Sequence, residues 1–164
     1  VAGLSAGGLM TTAIAAIATH GFPDDPSAKL EYSLVAQIAI QPIIAYPGAG
    51  YKSWMRFASV GGLSGIRMQW FWQLYIDHPR DCASYVCSPM LQTEEQLSKL
   101  PPAVIYAAAA DVLRDEAIHY ATMLREAGVS VDYYEAIGSH MGAPMFDKIE
   151  TPKMAQRVKE LLNP

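Results

Sequence analysis

Three residues of this 164-residue chain carry the types that acyl transfer needs: a serine in Gly3-Leu4-Ser5-Ala6-Gly7, an aspartate at Asp111 and a histidine at His140. A serine hydroxyl is a weak nucleophile until an imidazole takes its proton. The imidazole in turn needs a carboxylate to hold its tautomer and stabilise the imidazolium. The G-x-S-x-G pattern is that of a nucleophile elbow, where a strand runs into a helix through a turn so tight that the serine takes strained backbone angles and its hydroxyl stands clear of the sheet. Gly3 and Gly7 flank it, and a side chain at either position is expected to collide with the neighbouring strand or helix. The backbone N–H of Ala6, directly after the serine, is the expected oxyanion donor. Taken singly, Ser5 also fits a small residue in a glycine-rich turn, Asp111 a strand-end cap and His140 a loop histidine. Their order along the chain, Ser then Asp then His, favours the set.

Such groups must be delivered by elements that end at one edge of a sheet, because the crevice of an open parallel sheet lies at the carboxyl ends of its strands. Val1 and Ala2 read as the end of a strand, and "AGGLMTTAIAAIATHG" as a small-residue helix that stops at Gly21. Residues 34–44 form a continuous apolar, β-branched run of the kind buried on both faces of a parallel sheet, followed by the turn signal "YPGAGY". A second such run follows Pro101-Pro102, over 103–110, and ends at Asp111. "RDEAIHYATMLREAGV" is an amphipathic helix, with Asp115 as its expected cap, Ile118, Ala121 and Leu124 on one face, and Gly128 as terminator. Residues 130–137 make another strand, and His140 lies just past it. "TPKMAQRVKELLN" closes the chain as a helix, with Thr151 as expected cap, Pro152 at its first position, and Met154, Val158, Leu161 and Leu162 facing inward. Strands alternating with helices predict an α/β fold built on a mainly parallel sheet with flanking helices.

The segment 46–80 has a different texture, rich in large aromatics and methionine, and is too long for a tight connector. One reading makes it a cap or lid insertion whose aromatics line a pocket. The other makes it an ordinary amphipathic helix packing Trp70, Phe71 and Tyr75 on the core.

Composition narrows the function classes. A net charge of −4, with both signs interspersed, argues against a nucleic-acid partner, which needs a basic face. No apolar run reaches the roughly 20 residues of a membrane span. Cys82 and Cys87 are too few for a disulfide scaffold and lack metal-site partners, so free thiols are expected. His20, His78 and His119 gather no candidate ligands, and neither a metal nor another cofactor is expected. The first residue is Val rather than Met, which leaves the cellular compartment open.

"GLSAGG", "SPM", "LPPAVIYAAAADVLRDEA", "YATMLREAGVSVDYYEAIGSH" and the "MQWFWQLYI" stretch together resemble the carboxyl-terminal half of the hormone-sensitive-lipase-like α/β-hydrolases, a family of carboxylesterases and lipases. The resemblance implies a partial α/β-hydrolase fold with part of a helical cap, occupying 1–164 as a single partial domain. It implies a serine hydrolase that cleaves small-molecule carboxylic esters through an acyl-enzyme. Ser5 would be nucleophile and His140 the base; Asp111, which opens "DVLRDE", would be the acid, with Asp115 as the runner-up. Three departures stand out. Leu4 takes the place of the family's usual acidic residue before the serine, the histidine loop reads "GSHMGAP", and no HGGG-type oxyanion segment precedes the serine. The chain is therefore expected to be a fragment, with an unpaired sheet edge that promotes self-association, homo-oligomers included. The same fold also hosts non-catalytic ligand-binding and receptor-like proteins, and that reading is carried alongside.

Overall fold

Parallel pairing organises the chain from its first residues. The computed structural model describes residues 1–60 and 62–163; Gly61, inside the expected 46–80 insertion, and Pro164 lie outside the described residues. Among the described residues, strands β1 (Ala2–Leu4), β2 (Gln37–Ile40), β3 (Ala103–Ala108) and β4 (Val131–Ala136) form one sheet in the order β1-β2-β3-β4, each parallel to its neighbour. The helices are α1 (Ala6–His20), α2 (Lys52–Arg56), α3 (Gly65–Tyr75), α4 (Glu94–Leu97), α5 (Arg114–Glu126), α6 (Gly142–Phe146) and α7 (Glu150–Leu162).

The central strand β3, Ala-Val-Ile-Tyr-Ala-Ala, is buried at every position, as an apolar run covered on both faces should be. On one face Ala103, Ile105 and Ala107 pack with Ala117, Tyr120, Ala121 and Leu124 of α5. On the other, Val104, Tyr106 and Ala108 pack with Ile38 of β2 and with Met154, Val158 and Leu161 of α7. The apolar run 34–44 yields a strand only over 37–40. Gln41 has φ +45 and Pro42 has no N–H to give a neighbouring strand, so pairing stops there. The apolar residues beyond it, Ile44 and Ala45, are nonetheless fully buried, as loop.

Two helix starts depart from the sequence reading: neither Asp115 nor Thr151 stands at the cap position. Asp115 is not the cap of α5: Leu113 holds that position, and Asp111 Oδ1 accepts the Leu113 N–H at 3.1 Å. Asp115 instead accepts the Ser53 N–H at 2.9 Å, which ties α5 to α2. The buried face of α5 is Glu116, Ala117, Tyr120, Ala121 and Leu124, with Ile118 only half-buried. Thr151 likewise lies inside the first turn of α7, where Asp147 accepts its N–H, and Thr151 Oγ1 lies 3.1 Å from the Tyr106 hydroxyl. Leu162 is exposed rather than inward, because the helix has turned its last apolar residue away from the sheet. The stops at Gly21 and Gly128 stand as expected, both glycines having φ +83.

The elbow depends on two close backbone approaches. A Cβ on Gly3 would lie 2.1 Å from the Gly7 carbonyl oxygen, and one on Gly8 would lie 2.7 Å from Pro42 Cα. Gly7, expected to be equally constrained, is not: a Cβ there meets nothing within 4 Å. The second tight contact belongs to the next residue because Gly8, one position further round α1, is the one that faces the chain leaving β2.

One buried acid ties α5 to the loop after β2 and to α2. Glu116 is fully buried and accepts the Ile44 and Ala45 N–H groups on one oxygen at 2.7 and 3.0 Å, and the Trp54 indole N–H on the other at 2.7 Å. Burial pushes its carboxyl up to about 7 against the pull of these donors, with nearby Asp111 adding to the rise.

Two predictions follow from these contacts. Gly7→Ala should be neutral or stabilising by up to about 1 kcal/mol, since alanine is the better helix former. Gly3→Ala and Gly8→Ala should each cost about 1–3 kcal/mol or more, because backbone must move. Thermal denaturation of the three variants ranks them, and equal melting temperatures would contradict the contacts. For Glu116, the folded carboxyl holds its proton more tightly than the unfolded one, so the wild type loses stability as pH rises from the unfolded value of 4.5 towards 7. Glu116→Gln cannot titrate and puts an NH₂ group against an N–H donor. It should be less stable than wild type at pH 5, and the gap should narrow by up to about 3 kcal/mol by pH 8. Urea unfolding at both pH values reads this directly; a gap that widens with pH has the wrong sign.

Candidate active site

β1 ends at Leu4, and Ser5 follows with φ 57 and ψ −115, a conformation a non-glycine residue takes only under constraint. The constraint is visible. The Ser5 N–H donates to the Ile40 carbonyl at 2.8 Å, extending the β1–β2 pairing, while its own carbonyl accepts Gly8 and Leu9 N–H groups at 2.8 and 3.1 Å to start α1. Ala6 is the first residue of α1, so its N–H precedes the helical ladder and has no i−4 acceptor within the helix.

Asp111 and His140 arrive from the carboxyl ends of β3 and β4. The pairing of these strands runs past their formal ends, with Ala109 N–H donating to Ala136 O and Ala110 N–H to Gly138 O, each at 2.9 Å. That holds the two loops side by side. His140 Nδ1 lies 2.8 Å from Asp111 Oδ2, and His140 Nε2 lies 3.0 Å from Ser5 Oγ. An ionised carboxylate only accepts, so the neutral imidazole carries its proton on Nδ1 and leaves the Nε2 lone pair for the serine O–H. Asp111 is 1% exposed and His140 8%. The three expected residues are therefore brought into one hydrogen-bonded chain, while Asp115 faces Ser53 and Arg114 instead.

A cavity of about 310 Å³ opens beside Ser5 and Ala6, walled by Leu9, Ile43, Met68, Phe71 and Trp72 among others, nearly all apolar. Helix α3 contributes Met68, Phe71, Trp72 and Tyr75 to that wall. The alternative expectation, that Trp70, Phe71 and Tyr75 pack on the core, does not hold: all three are about half exposed, and the residues that bury are Met68 and Trp72. A helix turns one face inward, and here the pair four residues apart at 68 and 72 takes it. Trp72 stands edge-on to Tyr46 and Tyr75 at 5.5 and 5.7 Å between ring centroids, while Phe71 and Tyr75 face the cavity. Cys82 and Cys87 are buried, free thiols behind the same cluster, and burial pushes the Cys87 thiol up to about 12. His20, His78 and His119 lie elsewhere; His119 Nδ1 is 2.6 Å from the Tyr51 hydroxyl and His20 Nε2 is 3.1 Å from the Gln96 carbonyl oxygen. Among the described residues no group of three or more His, Cys, Asp or Glu side chains could hold a metal ion, and no helix is long and apolar enough to cross a membrane.

Two residues at the site went unread in the sequence. Gly8 was hidden because a third glycine beside two motif glycines carries no separate signal. Gln41 was absorbed into an apolar run, and only its position before Pro42 hinted that the strand ended there.

Residues 1–142 match the family model for the α/β-hydrolase fold. An AB hydrolase superfamily protein of Schizosaccharomyces pombe is 32% identical over 139 residues, covering 82% of this chain and 39% of that protein. The arylesterase of Saccharolobus solfataricus is 28% identical over 163 residues, covering 97% of this chain and 49% of that protein. Among solved structures, a thermostable esterase from Pseudomonas putida superposes with a TM-score of 0.82 at 31% identity, over 98% of this chain and 49% of that one. The hyperthermophilic esterase of Pyrobaculum calidifontis gives 0.81 at 28%, over 98% and 51%. The chain thus spans about half, or less, of the length of these relatives. Its sheet order, its serine turn and this match place the chain in the α/β-hydrolase fold family, on the hormone-sensitive-lipase-like side.

Proposed function

We propose that this chain is the carboxyl-terminal part of a serine hydrolase that cleaves carboxylic esters. The observation that carries the reading is the hydrogen-bonded run Asp111–His140–Ser5, held at the carboxyl edge of the sheet. Ser5 Oγ attacks the ester carbonyl as His140 Nε2 takes its proton. Asp111 keeps the Nδ1–H tautomer and stabilises the imidazolium that results. The imidazolium then protonates the departing alkoxide, leaving an acyl group on Ser5 Oγ. Water attacks that acyl-enzyme by the same proton route in reverse, releases the carboxylic acid and restores the serine.

The tetrahedral intermediate places negative charge where the Ala6 N–H can donate. The HGGG-type segment to which the family resemblance assigns a second donor does not occur in this sequence. The match to about half the length of the relatives supports the reading of a partial chain. The segment 46–80 acts as the cap: it supplies Met68, Phe71 and Trp72 to the cavity wall, which suits a small ester with an apolar acyl or aryl group.

A fluorophosphonate probe should label Ser5, and Ser5→Ala should abolish the label. A folded protein that resists the probe would instead support the ligand-binding reading. Removing one oxyanion donor costs about 10²–10³ in turnover, so the 164-residue chain alone should hydrolyse a short-chain p-nitrophenyl ester only slightly and should self-associate. Co-expression with the amino-terminal half of a related hydrolase should raise the activity. A soluble monomer working at ordinary enzyme rates would show that residues 1–164 already hold both donors.

Asp111→Asn should lower turnover by about 10³–10⁴-fold, because the imidazole loses the partner that fixes its tautomer. Asp115→Asn removes the charge that faces Arg114 and weakens the acceptor for the Ser53 N–H, so it should act on stability with turnover within a few-fold of wild type. The opposite ranking moves the acid to Asp115.

A further inference from the structure

Gln41 does something an apolar residue in the same run could not. The β1–β2 register pairs Leu4 with Ile40, so Gln41 stands beside Ser5 at the edge of the sheet. Its backbone is held at φ +45 by its own N–H, which donates to the Tyr106 carbonyl at 2.6 Å, and by Pro42, which rests against Gly8. Its side chain is 1% exposed, and Oε1 accepts the Met141 N–H at 3.1 Å. Met141 directly follows His140 and itself takes φ +63, so the loop carrying the imidazole is bent at that peptide. The amide orientation is fixed, since a flipped amide would set an NH₂ against the Met141 N–H. In that orientation Nε2 is buried with no hydrogen-bond partner among the described residues.

A buried NH₂ with no partner costs stability. Methionine, of similar length and unbranched, would suit this interior better, yet it could not accept from the Met141 N–H with comparable strength. The side chain at 41 is thus poorer for the fold than an apolar one and better for the loop. We propose that Gln41 is a positioning residue for His140: through the Met141 amide it sets the height of the imidazole over Ser5 Oγ. The inference rests on the esterase reading for its consequence in catalysis, but the clamp itself can be read without any chemistry.

The test compares wild type, Gln41→Met and Gln41→Glu in the 164-residue chain. It uses hydrogen exchange over residues 139–143 read by mass spectrometry, the melting temperature, and the rate of Ser5 labelling by a fluorophosphonate. Gln41→Met should melt at or above the wild-type temperature, exchange faster over 139–143, and label about 10–100-fold more slowly, the scale of loss that misplacing a reacting group produces. Gln41→Glu keeps an acceptor of the same length and should restore both slow exchange and most of the labelling rate, which a purely structural role for the side chain would not require. Unchanged exchange over 139–143 in Gln41→Met overturns the clamp. Faster exchange with unchanged labelling overturns its effect on the imidazole. If wild type is not labelled either alone or co-expressed with the amino-terminal half of a related hydrolase, the esterase reading fails, and the exchange data still decide whether Gln41 holds the histidine loop. Should Gln41→Met fail to fold, slow exchange and wild-type labelling in Gln41→Glu support the clamp, and wild-type melting with fast exchange in that variant refutes it.

Discussion

The rest of the site hangs on how closely the backbone packs at the elbow. β1 can hand the chain to α1 within a single residue only because Gly3 presses against the Gly7 carbonyl and Gly8 against Pro42, at separations that no side chain tolerates. Ser5 takes up the resulting strain at φ 57, and the Ser5–Ile40 hydrogen bond holds it there. Pro42, which packs on Gly8, directly follows Gln41, the residue just past β2 that reaches the histidine loop. The crowded elbow thus sits directly against the strand end that reaches the imidazole loop.

From that point the parallel sheet does the assembly. All four strands present their carboxyl ends on one side, so the loops after β1, β3 and β4 converge without any long excursion. Two extra hydrogen bonds beyond the last paired residues of β3 and β4 keep the Asp111 and His140 loops adjacent. Rigid elements position such groups better than free loops do, since reacting atoms must sit within a few tenths of an ångström of productive geometry.

Two acids five residues apart have different work because their surroundings differ. Asp111, at the strand end, has the imidazole and the Leu113 amide as partners. Glu116, one turn further on, meets only backbone amides and an indole, deep in the interior, and joins α5 to the stretch that leads into the pocket wall. Among the described residues no cation pairs with it, and burial pushes its carboxyl up. The acid-bearing turn and the aromatic segment are in this way fastened to each other through the core, so the apolar cavity and the hydrogen-bonded chain beside it share one support.

Much of this was legible in the residues. The serine motif, the order Ser5, Asp111, His140 and the alternation of apolar strands with helices are all local patterns, set by backbone sterics and by the periods of helix and strand, and they led to the α/β class and to the three residues that meet. What sequence alone could not yield was any feature that depends on a distant partner. The end of β2 at Ile40, the freedom of Gly7 against the crowding of Gly8, the engagement of Asp115 by Ser53 and of Thr151 by Asp147, and the burial of Trp72 rather than Trp70 each depend on a group brought near by folding. Gln41 and Glu116 are the plainest cases. A glutamine in an apolar run and a glutamate in an acidic helix start look ordinary until the packed chain shows which N–H groups they face, because hydrogen bonds between residues 70 or 100 apart leave no period in the sequence to read.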